Sequence, residues 1–172
     1  IVNVSVVPVS QPVITGPAAV CEGPTSAVTF SASTFNANNG ITWSGPCVQA
    51  GSVGNLLSLS ALTSNCSGIY YATAMYQVNT TTCSSTSSVA LNVIPVNTIT
   101  VIPPQPVCMP SNVVLQANAA GANSYLWQGP NNFNNPGANV TVFYPTLAYN
   151  GQYTVTAYFG GGNLVCTNTN VV

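Results

Sequence analysis

The run Ile41-Thr42-Trp43-Ser44-Gly45-Pro46, followed by Gly68-Ile69-Tyr70-Tyr71-Ala72-Thr73-Ala74, returns later as Tyr125-Leu126-Trp127-Gln128-Gly129-Pro130 and Gly151-Gln152-Tyr153-Thr154-Val155-Thr156-Ala157. Trp43 and Trp127 lie 84 residues apart, and Gly68 and Gly151, Tyr70 and Tyr153, and Cys83 and Cys166 each lie 83 apart. Four matches at a nearly constant spacing make the 172 residues two copies of one module instead of one large domain. Around these runs, Val28-Thr29-Phe30 and Leu56 to Ser60 in the first copy answer Val113-Val114-Leu115 and Asn139 to Phe143 in the second. Each run is short, alternates apolar with polar residues, and is bounded by Gly, Pro, Asn or Ser. That pattern predicts strands and an all-β fold.

A Trp in a central strand and a Gly-x-Tyr corner opening a later one resemble immunoglobulin-like domains, so two tandem immunoglobulin-like β-sandwiches are expected. The resemblance gives Trp43 and Trp127 a core role and gives Tyr70 and Tyr153 a hydroxyl bonded to the upstream backbone. Sugar-stacking platforms are the alternative for the two Trp residues.

The closing strand of the first copy, Val89-Ala90-Leu91-Asn92-Val93-Ile94-Pro95-Val96, is matched by the opening Ile1-Val2-Asn3-Val4-Ser5-Val6-Val7-Pro8-Val9. In that register Val2, Val4 and Val6 fall on Val89, Leu91 and Val93, while only six residues follow Cys166. The expected organisation is therefore a donor strand over 1–9 (apolar residues Ile1, Val2, Val4, Val6 and Val7), a linker over 10–20, and a first sandwich over 21–96. A Pro-rich linker over 97–107 and a second sandwich over 108–172, short of its last strand, complete it. Copies strung head to tail, each lending its N-terminal strand to a neighbour's second module, account for both ends, and β-strand addition is a known recognition mode.

Composition narrows the function. The chain has no Lys, Arg or His and one acidic residue, Glu22, read as a solvated turn residue. Nucleic acid and anionic membrane surfaces need cationic side chains, so neither is expected as a partner. No apolar run approaches the roughly 18 residues of a membrane span, so no membrane insertion is expected. Catalytic chemistry draws on His, Lys, paired carboxylates or activated thiols, and metal sites on similar groups. No enzyme, metal site or cofactor is therefore expected. With so little to titrate, the fold is expected to tolerate acid.

Six Cys and four Asn-x-Ser/Thr sequons, at Asn3, Asn65, Asn79 and Asn139, point to an oxidising extracellular setting with covalent N-glycans. If each module closes on itself, Cys108 pairs with Cys166, Cys21 pairs with Cys83 by equivalence, and Cys47 is left to Cys66. The Cys21-Glu22-Gly23-Pro24 opening and the Trp-containing and Gly-x-Tyr strands of both modules resemble immunoglobulin-like or PKD-like repeats of prokaryotic surface adhesins. The whole arrangement resembles the donor-strand-complemented thread subunits of acidophilic archaea. That resemblance implies a homopolymeric cell-surface filament serving adhesion. The alternative is a tandem adhesin or binding-module fragment of a longer surface repeat protein.

Overall fold

A computed structural model describes residues 6, 9–35, 37 and 40–172. The chain divides between Val93 and Ile94 into two compact units. Unit 1 contains β1 (Val13–Thr15), β2 (Ala19–Cys21), β3 (Ala27–Ser33), β4 (Ile41–Ser44), β5 (Leu56–Ser60), β6 (Gly68–Val78) and β7 (Thr81–Ile94). They form two sheets, β1-β3-β5 and β2-β7-β6-β4. Period-two alternation is the reason: in β3 Val28, Phe30 and Ala32 are buried, and in β5 Leu57 and Leu59 are, while their neighbours face water. These residues meet Ile41, Trp43, Tyr70, Ala72, Ala74, Tyr76, Leu91 and Val93 from the opposite sheet in one core. No polar or charged side chain is buried among the described residues.

Unit 2 contains β8 (Thr100–Ile102), β9 (Val113–Asn118), β10 (Ser124–Gly129), β11 (Phe133–Pro136), β12 (Asn139–Val142), β13 (Thr154–Gly161) and β14 (Leu164–Val171). Its sheets are β12-β9-β8 and β11-β10-β13-β14. Leu115, Trp127, Val140, Val142, Val155, Ala157 and Phe159 are buried. Both units are immunoglobulin-like β-sandwiches.

The two stretches expected to be linkers are partly strand. Residues 10–20 supply β1, which pairs with β3, and most of β2, in the sheet that holds β7; residues 97–107 supply β8, which pairs with β9. Pro residues at their ends fit edge positions, where a missing N–H leaves no ladder bond unmade.

The cysteines depart further from expectation. Cys47 and Cys66 are bonded, with Cα atoms 5.3 Å apart, tying the loop after β4 to a 3-10 turn over Ser64–Cys66. Cys83 and Cys108 are free thiols, so the expected Cys21–Cys83 and Cys108–Cys166 bridges are not formed. Strand geometry explains both. Ala18, just before β2, accepts a hydrogen bond from the Asn92 N–H, nine residues along β7 from Cys83, a separation of about 30 Å. In unit 2 Cys166 stands opposite Phe159 near the β13–β14 hairpin, about 20 Å of strand from Val172. Cys108 lies at the Val172 end, where its neighbours Val107 and Met109 line the same groove as Val172. Bridged Cα atoms are only about 4.4–6.8 Å apart.

Candidate interaction groove

The two repeated motifs interlock at the base of each sandwich. Gly68 and Gly151 have φ of 151° and 142°, and a Cβ on either would stand 2.7 or 2.8 Å from a carbon of Pro46 or Pro130. Gly45 and Gly129 leave room for the tyrosine rings: an added Cβ would be 2.9 Å from Tyr70 Cδ1 or 2.3 Å from Tyr153 Cδ1. Each tyrosine then reaches back four residues. Tyr70 Oη donates to the Cys66 carbonyl at 2.6 Å, and Tyr153 Oη donates to the Tyr149 carbonyl at 2.9 Å. Burial holds both phenols above their ordinary pKa, with Tyr149 adding to the effect at Tyr153. Both rings are structural. Trp43 and Trp127 are buried too, and neither offers a face to a sugar. Trp43 Nε1 donates to the Gly54 carbonyl at 2.9 Å, whereas Trp127 Nε1 has no partner.

Beyond this shared base the units differ. In unit 1, β6 and β7 pair from Val78↔Thr81 to Gly68↔Leu91, so Gly68, Ile69 and Tyr70 all have strand partners. Leu91 and Val93 point into the core and are 3% and 2% exposed. In unit 2, β13 begins only at Thr154, and Tyr153 exchanges both backbone hydrogen bonds with Val172, at 2.8 and 2.9 Å. Val172 thus holds the place that Val89 holds opposite Tyr70. No counterpart of Ala90 to Ile94 lies within the 172 residues.

Beside Val172 and Tyr153, unit 2 has an open cavity of about 460 Å³. Leu115, Val142 and Tyr153 border it from the core, Pro103 to Val107 and Met109 from one loop, and Pro145 to Leu147, Tyr149 and Asn150 from another. Met109 and Leu147 at its rim are 68% and 80% exposed. Its lining is mainly apolar, with Gln105, Thr146 and Asn150 among it, and it reaches the backbone at Gly151, which precedes β13 and has no strand partner among the described residues. That combination suits an extended, β-branched segment.

The other expected positions are dispersed. Asn65, Asn79 and Asn139 are exposed, Asn79 in the β6–β7 turn with φ of 54°. Glu22 accepts from the Ser64 N–H at 3.3 Å at the surface of unit 1. Ile1, Val2, Asn3, Val4 and Val7 lie outside the described residues; Val6 is 83% exposed, and Val9 packs against the unit 1 core. No metal-binding cluster occurs among the described residues, and no helix there is long and apolar enough to cross a membrane. Two loop walls, 103–109 and 145–150, escape sequence reading because their residues have no periodicity.

No protein-family model matches the chain, and no curated protein is similar to it. Solved structures are similar in fold. An amphioxus IgVJ-C2 molecule is 19% identical over 89% of this chain and 98% of its own, with a TM-score of 0.47. Sidekick-1 immunoglobulin domains 1–5 are 12% identical over 95% of this chain and 39% of their own, with a TM-score of 0.49. The mouse nectin-like molecule 4 ectodomain is 18% identical over 95% of this chain and 64% of its own, with a TM-score of 0.41.

Proposed function

We propose that this chain is the structural subunit of an extracellular adhesive filament, polymerised head to tail by insertion of the N-terminal strand of one copy into the unit 2 groove of the next. The observation that carries the reading is the cavity beside Val172 and Tyr153, in a module whose twin carries its own closing strand there. Because Val172 already holds the Val89 place, Val4 and Val6 are the residues that fill the groove, and Val2 is not needed. Burying two Val side chains contributes roughly 1.5–3 kcal/mol each. New ladder bonds to the Gly151–Gln152 backbone add roughly 0.5–1.5 kcal/mol apiece. The Cys47–Cys66 bond and the exposed sequons at Asn65, Asn79 and Asn139 support an extracellular site with N-glycans.

The test is deletion of residues 1–9 followed by sedimentation and electron microscopy. The deleted chain is expected as monomers that bind one synthetic 1–9 peptide each, with binding lost for a Val4→Asp, Val6→Asp peptide. Unaltered fibres overturn the reading. A second reading, a tandem binding module within a longer surface protein, is favoured by the direct run of β14 into the groove at Val172. In that case residues beyond Val172 occupy the cavity, and peptides extending past Val172 in a digest of the natural protein reveal them.

A further inference from the structure

We propose that the free thiols Cys83 and Cys108 belong together, as an intermolecular disulfide that locks each junction between successive copies; this rests on the filament reading above. Among the six cysteines, Cys47 and Cys66 are bonded to each other, and Cys21 and Cys166 hold no free thiol. One thiol is left in each unit, Cys83 in unit 1 and Cys108 in unit 2. In the repeat, Cys83 is the counterpart of Cys166, and Cys108, five residues before β9, is the counterpart of Cys21, six residues before β3. The two free thiols therefore stand at the positions whose repeats are oxidised. Unpaired cysteines in an oxidising setting point to intermolecular pairing.

Their places in the two units fit a junction. Cys83 is the register partner of Tyr76. Tyr76 Oη donates to the Ser10 carbonyl at 2.9 Å, and Val9 and Cys83 both pack against the unit 1 core, so Tyr76 links the Cys83 position to the chain at Val9 and Ser10. Cys108 is exposed between Val107 and Met109, two wall residues of the groove that the strand would enter. With Val6 in the groove, four residues of extended chain reach Ser10, at most about 14 Å. Insertion thus brings the Cys83 end of one copy against the Cys108 rim of another, whereas within one unit neither thiol has a partner.

The chemistry is two thiol–disulfide exchanges with a low-molecular-weight disulfide as oxidant. The Cys108 thiolate attacks that disulfide, forming a mixed disulfide and releasing one small thiol. The Cys83 thiolate of the neighbouring copy then attacks the Cys108 sulfur, forming the protein–protein bond and releasing the second small thiol. Two cysteine protons are lost and two small thiols are gained, so electrons balance.

The experiment assembles the full chain in mild reductant, exchanges it into oxidised glutathione, and runs a denaturing gel without reductant. A ladder at multiples of 17.6 kDa is expected, with a peptic peptide joining Cys83 to Cys108. Either Cys83→Ser or Cys108→Ser is expected to remove every band above the monomer while leaving fibres visible by electron microscopy. Fibres that dissolve wholly to monomers on the oxidised gel overturn the lock and leave the filament reading standing. Links of Cys83 to Cys83 or Cys108 to Cys108 overturn it likewise, as does a ladder that persists after deletion of residues 1–9. Absence of fibres with or without reductant overturns both.

Discussion

Unit 1 and unit 2 share the tryptophan strand, the glycine–proline contact and the tyrosine corner, and they part at the last strand. β7 runs fourteen residues and β14 eight. The difference separates what builds the sandwich from what seals it. Tyr153 makes its bond to the Tyr149 carbonyl with only Val172 opposite it, so the corner is made locally by the 3-10 turn and the Gly129 cradle. Leu115 and Val142 stay buried, at 0% and 3% exposure, although both border the cavity. The final strand therefore works as a plug of two inward side chains and a few ladder bonds, which is the kind of element that a different chain can supply.

The sharpest way to break this comparison is to open unit 1 as unit 2 is open. Leu91→Ala is expected to cost about 2–5 kcal/mol, since it removes a core side chain that its neighbours cannot replace. Denaturant unfolding followed by Trp43 fluorescence measures it, and a loss under 1 kcal/mol would deny the closing strand its sealing role. The converse experiment closes unit 2. Appending Ala-Leu-Asn-Val-Ile, the residues of 90–94, after Val172 is expected to raise the unit 2 melting temperature by about 4–8 °C, the equivalent of about 1 kcal/mol net for so small a domain. The same extension should abolish binding of the 1–9 peptide. A graft that leaves both unchanged would mean that the cavity is not the vacant place of the final strand.

Most of this contrast is legible in the residues themselves. Val28, Phe30, Leu57 and Leu59 alternate with polar neighbours, and strand identity and core membership follow from that period. The motif spacing reveals the duplication. What escapes is set by three-dimensional reach. The pairing of Cys21 with Cys83 looks natural from the repeat, yet β7 is long enough to carry Cys83 about 30 Å from the β2 end, and no local pattern encodes that separation. The edge strands β1, β2 and β8 are missed for a related reason: each is three residues long and sits among prolines, too short to show a period. The groove walls have the same character, being loops held by packing and not by pattern.

A smaller effect sharpens the comparison at the corners. Tyr70→Phe strands a carbonyl inside a sealed core, whereas Tyr153→Phe does so beside an open groove where water can replace the hydroxyl. Losses of about 1–3 kcal/mol for Tyr70→Phe and about 0.5–1.5 kcal/mol for Tyr153→Phe are expected from paired thermal melts. Equal losses would mean that the cavity does not reach the tyrosine hydroxyl.

The smallest effect is an absence over most of the pH range, and its sign can be worked out. Glu22 is the one carboxylate side chain of the sequence, so acid has almost nothing to protonate in the folded state and few like charges to drive apart. Melting temperature is expected to change by less than about 4 °C, under 1 kcal/mol, between pH 2 and pH 8. At the alkaline end the buried phenols of Tyr70 and Tyr153 titrate above the unfolded value of 10.0. Above that pH the unfolded chain binds fewer protons than the native one, so stability falls as pH rises further. The decline starts at the unfolded phenol value whether the groove is empty or filled; filling it with the 1–9 peptide removes water from beside Tyr153, raises its folded pKa further, and so carries the decline of unit 2 to higher pH and makes it larger. Calorimetric melts from pH 9 to pH 12, with and without peptide, measure the shift; an unchanged alkaline limb would place the bound strand away from the Tyr153 ring.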